Sequence, residues 1–243
     1  MSLINKIRSK LREFGKLTPL ALITTFLPML GSFVLVLVGY PLGIWLRENW
    51  QIGSVGFAVG VMAFCGLALI PTNLIGILGG WSFGFAFGLF LLMIGITGAA
   101  YISFLIHKKI TGTHLPDIAE KYPKAQAIYD ELVHDDQLRA SIVIFLIRAS
   151  IIMPFAFTNF LLASARVSSF SFLIGTIFGM LPRSAAMVFT GAGLSVLSLE
   201  GSTQTWVIGL GIAASILMII VVSYLSRRAL LKMTDRAANA ATS

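Results

Sequence analysis

Long apolar runs separated by short polar breaks set the pattern of this chain. Residues 18–39 form a first apolar run long enough to cross a bilayer, with Pro28 inside it. Gly39-Tyr40-Pro41 is expected to end it, and Trp45, Arg47, Glu48, Asn49 and Trp50 read as an interfacial belt. Residues 54–70 are apolar but short for a span, and they stop at Pro71-Thr72-Asn73. A shorter apolar piece follows to Gly79-Gly80-Trp81, and residues 82–106 make a full span. Residues 107–139 are polar, with a short amphipathic helix expected after Pro123. Residues 140–166 form a second broken apolar element, residues 168–196 a span interrupted at Gly179, Pro182 and Arg183, and residues 205–226 the last span. The start, residues 1–16, places Ile4, Ile7, Leu11 and Phe14 at helical spacing among basic residues, as in a helix lying on an anionic leaflet.

The two breaks matter most. The stretch from Phe145 to Pro182 is apolar enough for a bilayer, yet it carries Arg148, Pro154, Asn159, Arg166 and Pro182. Proline removes a backbone donor. Broken backbone at membrane depth survives only where protein buries it or where it lines a watery cavity. The stretch therefore predicts a helix that enters, breaks near Pro154 and turns back. The first break at Pro71-Thr72-Asn73 predicts a similar re-entrant hairpin, with one long kinked helix as the alternative.

Composition agrees. The 26.2 kDa chain is 57% hydrophobic and 12% charged, with mean hydropathy +0.90, against about 25% charged residues in soluble domains. This predicts an integral membrane protein. Between Glu48 and Lys108 no residue carries a full charge. The net charge of +8 sits largely at the two ends. Basic residues beside apolar segments mark cytoplasmic flanks, which is preferred here over a nucleic-acid-binding tail. With the N-terminus inside, every basic cluster except Arg47 falls on the cytoplasmic side, and the two hairpins enter from opposite faces. The single cysteine, Cys65, permits no intramolecular disulfide. The N-terminus reads as a retained anchor.

A short repeat supports the plan. Pro71-Thr72-Asn73-Leu74 resembles Pro154 followed by Thr158-Asn159-Phe160, and Phe83, Phe85 and Gly88 pair with Phe170, Phe172 and Gly175 at nearly the same offset. Both halves read as a broken hairpin followed by a glycine-rich span. Inverted repeats with discontinuous helices are an architecture of transport, with the site between them.

The candidate chemistry follows from charge without a partner. From Gln137 to Ser226 the only acid is Glu200, whereas intramembrane arginines normally want an anion. A ligand phosphate, held through the guanidinium fork, would supply one. For Arg148, capping of carbonyls freed by the Pro154 break stands level with a ligand role. Arg166 reads as snorkelling to the headgroups. Arg183 faces either the site or the outer interface. Asn73 and Asn159 sit at the two breaks and either satisfy loose backbone or line a polar path. His107, His114 and His134 lack metal-ligand spacing, and Asp135-Asp136 reads as a solvated charge run. No metal and no cofactor are expected. No G-x-S-x-G, H-E-x-x-H or Walker motif occurs, so no enzyme is expected. The absence of an intramembrane acid argues for passive movement over carboxylate-based proton coupling.

The run Arg148-Ala-Ser-Ile-Ile-Met-Pro154-Phe155, then Asn159, Arg166-Val167-Ser168, Phe170, Gly175-Thr176 and Gly179-Met-Leu-Pro182 resembles the DedA superfamily. The closer resemblance is to its SNARE-associated Golgi protein branch, which shares the VTT domain. Pro71, Gly79-Gly80, Phe83-Gly84, Gly88, Gly95 and Gly98 fit the first half, so the resemblance covers roughly Phe57 to Gly193. Ile151 stands where the family often has proline, Ser164 where it has glycine, and His107-Lys108 where a Gly-Arg pair is usual. Thr72 and Asn73 replace the acids of the DedA branch. The resemblance implies two opposed re-entrant hairpins and movement of phosphate-bearing lipids between leaflets, either phospholipids or a polyprenyl phosphate.

The expected fold is thus an all-α integral membrane protein with about four spans and two opposed re-entrant hairpins arranged as an inverted repeat. Residues 1–50 hold the basic segment and first span, 51–199 the core, and 200–243 the last span and basic tail. The expected function is a lipid translocase, with Arg148, Asn73, Asn159 and Arg183 meeting the headgroup and Pro71 and Pro154 shaping the breaks. A membrane-protein assembly factor and a small-anion carrier are the alternatives. Membrane lipids are the expected partners, with a homo-oligomer left open and no nucleic acid. A bacterial inner membrane, with both termini cytoplasmic, is the expected location, and a eukaryotic endomembrane the alternative.

Overall fold

The computed structural model describes residues 18–110, 136–150, 155–199 and 205–240, and among them there is no strand. The amphipathic start, the helix expected after Pro123, His114, His134 and Pro154 lie outside the described residues. The helices are α1 (Thr18–Glu48), α2 (Trp50–Gly66), α3 (Thr72–Phe83), α4 (Phe85–Ile110), α5 (Gln137–Ala149), α6 (Phe155–Ser164), α7 (Ser169–Leu199) and α8 (Thr205–Ala240). Among the described residues three segments are long and apolar enough to cross a membrane: Leu27–Glu48, Phe85–Lys109 and Ser169–Val196. The fourth expected span, 205–226, forms the first part of the unbroken α8.

Two expectations about helix ends need correcting. Gly39-Tyr40-Pro41 does not end the first helix, because α1 runs through Pro28 and Pro41 to Glu48. Gly179, Pro182 and Arg183 do not interrupt the second long span, because α7 is continuous across them. The reason is the same in both cases. A proline removes one hydrogen bond, whereas stopping a helix in an apolar setting strands several backbone groups.

The breaks do fall where expected. After α2 the chain closes on itself: Leu67 and Leu69 donate to the carbonyls of Ala63 and Phe64 at 3.0 and 2.8 Å. Ala68 takes a left-handed conformation with φ 57°. Pro71, extended at φ −66° and ψ 136°, stands as the N-cap of α3. After α5, Ser150 is extended at ψ 131°, and α6 resumes at Phe155. The junctions to the long helices also turn sharply. Gly84 has φ 75° and ψ −177°, a region open essentially to glycine alone. Arg166, between α6 and α7, has φ 52°.

Packing crosses between the halves. Helix α2 packs on α4 and α5 on α7, while α3 packs on α7 and α6 on α4. The α3–α7 crossing is close. A Cβ on Gly80 would lie 1.9 Å from the Val188 carbonyl oxygen, and one on Gly191 would lie 1.9 Å from that of Ile77. Only residues without a side chain permit that approach. Helix α1 covers α3, and α8 covers α5 and α7. Two apolar cores result. One holds Phe57, Val61, Ile75, Leu92 and Val188. The other holds Phe104, Ile144, Leu162 and Phe172, with the Phe104 and Phe172 rings stacked at 4.2 Å. Phe155 packs against both. The residue pairing of the repeat does not follow the helices: Phe83 closes α3, whereas Phe170 lies inside the first turn of α7. The order of elements repeats, and the register of that residue match does not.

Candidate functional site

The site grows from the end of α5. Asp136 caps that helix by accepting from the backbone nitrogens of Leu138 and Arg139 at 3.0 and 3.4 Å. The helix then runs apolar to Arg148 in its last turn. Arg148 lies against Gly179 of α7, whose absent side chain makes the room: a Cβ there would sit 2.6 Å from that of Arg148. The arginine is only 6% exposed. Its Nη2 donates to Asn159 Oδ1 on α6 at 2.5 Å. Its guanidinium stands 5.3 Å from the Phe155 ring centroid and 5.4 Å from that of Phe172. Ring faces attract a cation most strongly where water is excluded.

That environment leaves work undone. No ion pair reaches Arg148 among the described residues, where the one salt bridge joins Arg139 to Asp136. Arg148 Nε, Asn159 Nδ2 and Thr176 Oγ1 are buried without a hydrogen-bond partner. Thr176 shares a face of α7 with Phe172 and Gly179, at helical spacing, and both of those touch Arg148. A buried cation with two unpaired donors and a hydroxyl nearby is a costly arrangement for a protein to keep.

Arg183, one turn beyond Gly179 on α7, is half-buried and donates weakly to Thr72 Oγ1 on α3 at 3.4 Å. Thr72 is buried and Asn73 beside it half-buried. The structure therefore joins Arg148 to Asn159 and brings Arg183 to the first break, next to Asn73 and Pro71. Arg166 is exposed. Beside Arg183 lies a narrow crevice lined by Ala149, Gly179 and Ser223 among others. Ser223 of α8 donates to the Ala149 carbonyl at 3.1 Å across 74 residues of sequence. The Ala149 carbonyl closes α5, and a distant helix caps it.

A VTT domain family model matches residues 70–193, just over half of the chain. The chain belongs to the VTT domain family. This is the domain of the DedA/SNARE-associated Golgi proteins. Comparison with curated proteins and with solved structures finds no match. The VTT domain starts at the first break and ends in α7, so it contains both junctions and every arginine of the site. Helices α1 and α2, and α8 with Ser223, lie outside it.

Reading the sequence missed Thr176, Thr72 and Ser223, and the two phenylalanines that face Arg148. Thr72 and Thr176 lay inside quoted motifs and carried a signal of position only. Ser223 carried none. Among the described residues no group of three or more His, Cys, Asp or Glu comes together.

Proposed function

We propose that this VTT domain protein moves a phosphate-bearing lipid between leaflets, passively, with the headgroup passing the Arg148–Asn159 pair. The observation that carries the reading is Arg148 itself: a buried cation without an anionic partner among the described residues, ringed by unpaired donors. A phosphate takes several hydrogen bonds and offsets the charge. Arg183, Thr72 and Asn73 form the next polar group along α7 and α3, so a headgroup leaving Arg148 has a second cation to meet. Passage needs the two groups to open towards each other, since Arg148 is sealed in this structure. An integral membrane protein with apolar helices suits a transport role.

The same reading treats α2–α3 and α5–α6 as re-entrant hairpins that enter from opposite faces. Its support is the repeated order of elements, the sharp turns at Gly84 and Arg166, and the reciprocal packing of α3 on α7 and α6 on α4. Cytoplasmic termini follow from the placement of the basic residues, and a bacterial inner membrane is part of the same proposal.

A second reading has its own observation. Among the described residues Arg148 donates to Asn159 of the same broken pair, as a pin holding α5 to α6 would. The non-transporting assembly factor would need no more than that.

Liposomes with fluorescent phospholipids in both leaflets, quenched from outside, separate the readings. Purified wild-type protein should expose the inner-leaflet label. Arg148→Ala should slow this at least tenfold while keeping wild-type thermal unfolding. Movement at the wild-type rate by the folded variant overturns the headgroup role. An Arg148→Ala protein that loses its fold while Arg148→Lys keeps fold and rate supports the pin. If neither phospholipid nor polyprenyl phosphate moves, the translocase reading falls. Saturable uptake of a soluble anion would favour the carrier.

A further inference from the structure

Helices α1, α2 and α3 leave a groove of about 240 Å³ between them, a little below the roughly 300–1,000 Å³ of drug-sized ligand sites. Most of it lies outside the VTT domain. Its floor is made by Leu35, Phe57, Val61 and Ile75, all buried. Trp45 and Phe64 stand at its rim, 48% and 47% exposed. Two glycines of α2, Gly56 and Gly60, line it. They differ from the glycines of the α3–α7 crossing. A Cβ on Gly56 would meet nothing within 4 Å, and one on Gly60 only the Phe64 ring, at 3.8 Å. Packing inside the chain does not demand glycine at either position. A side chain there would fill the groove.

An apolar hollow of this kind does not hold water, so in a bilayer hydrocarbon or another helix occupies it. Gly56-x-x-x-Gly60 has the spacing that lets a second helix approach. The Trp45 and Phe64 rings rise at either end of that stretch and oppose such an approach. A flexible chain passes between them. From Gly56 to Phe64 the groove follows α2 for about 12 Å at ~1.5 Å per residue, close to half of the ~30 Å hydrocarbon core. That is the depth of one leaflet. The Trp45 end is the membrane surface by its tight turn at Asn49 and its exposed Trp45 and Trp50. A cation waits there. Arg47 donates to Ser195 Oγ at 2.9 Å and lies 5.8 Å from the Trp81 ring centroid, with no ion pair among the described residues. At the other end α1 closes on the first break: a Cβ on Gly31 would lie 1.9 Å from the Leu69 carbonyl oxygen.

We propose that this groove binds one acyl chain of an anionic phospholipid, with the tail between α1 and α2 and the headgroup beside Arg47. The site is separate from the Arg148–Asn159 pair, and its occupancy does not depend on whether the protein moves lipids.

Full-length protein in vesicles of phosphatidylglycerol and phosphatidylcholine tests this. Each lipid in turn carries a photoactivatable group midway along one acyl chain, and labelled residues are mapped by mass spectrometry. Label from phosphatidylglycerol is expected on the floor residues Val61 and Ile75 as well as on the outward-facing Val55 and Val59. Gly60→Leu should cut floor labelling at least fivefold and leave the outward residues unchanged. Gly56→Leu, where the added side chain starts in open space, serves the same purpose if Gly60→Leu does not fold. Arg47→Gln should bring the two lipids to equal floor labelling. A floor unlabelled in wild type overturns the proposal, whether the groove is then empty or filled by a second copy seen as cross-linked dimers. Floor labelling that survives both leucine variants overturns it as well. An unchanged lipid preference in Arg47→Gln overturns the headgroup half. The vesicle assay for lipid movement is read separately, so failure of transport and failure of this site are distinguishable.

Discussion

The two broken helix pairs share an order of elements and differ in what they hold. The first, α2–α3, meets its break with its own backbone and apolar neighbours. Its polar residues Thr72 and Asn73 sit at a helix start, and the cation that Thr72 meets, Arg183, comes from the other half. The second, α5–α6, buries its own cation against its own amide. It relies on α8 for the carbonyl freed at its break. One pair thus offers an apolar face and a polar N-terminus, and the other a sealed charge. The lesson is that a shared order of helices does not decide what the break between them does. The side chain opposite the facing glycine decides that. At Gly95 of α4 a Cβ would meet Val61 at 2.6 Å, and at Gly179 of α7 it would meet Arg148 at the same distance.

Substitutions matched across the two pairs test this contrast. The largest effect is expected at the asparagines. Asn159→Leu removes the acceptor of a buried arginine and should cost about 2–3 kcal/mol, whereas Asn73→Leu should change stability by less than about 0.5 kcal/mol. Thermal unfolding in detergent measures both. Equal losses would mean that the two breaks carry the same polar load. The junctions come next. Gly84→Ala forces a side chain into a glycine-only conformation and should cost about 1 kcal/mol or more. Arg166→Gly sits at φ 52° and should cost nothing, since relief of the left-handed conformation offsets the added freedom of the unfolded chain. A costly Arg166→Gly would show that its side chain holds the junction. The smallest effect is expected at Ser223→Ala, about 0.6 kcal/mol for one interhelical hydrogen bond in a membrane protein. Hydrogen exchange should report it as faster opening at Ala149 and Ser150. If the opening moves to the first break instead, the α8 cap is not local to the second pair.

Much of the fold was legible because its cause is local. Apolar runs with few charges predicted the long helices, and Pro71 and the Arg148–Pro154 stretch predicted both breaks. The helix ends were misjudged at Pro41 and Pro182 for a physical reason. Rules for proline drawn from soluble helices assume that water will take the freed backbone groups, and an apolar surrounding does not. The site was half legible. Arg148 and Asn159 stood out as polar residues in an apolar stretch, and the structure joins them. Arg183 stood out too, but its meeting with Thr72 needs α3 to cross α7. Thr176 and Ser223 are ordinary hydroxyl residues in apolar helices, and nothing in their neighbours marks them.

By itself the sequence determined that the chain enters a membrane, that helices stop at Pro71 and in the Arg148–Pro154 stretch, that its arginines there lack acids, and that it is a VTT domain protein. These follow from hydropathy, from the chemistry of proline and charge, and from a motif confined to one stretch. Only the tertiary structure decided which polar atoms meet, that Arg148 is sealed by two phenylalanines and an amide, and that α1 and α2 enclose an apolar groove. Those depend on helix crossings set by glycines such as Gly80, Gly179 and Gly191. A missing side chain reads the same in sequence whether another helix, a guanidinium or nothing at all fills the space it leaves.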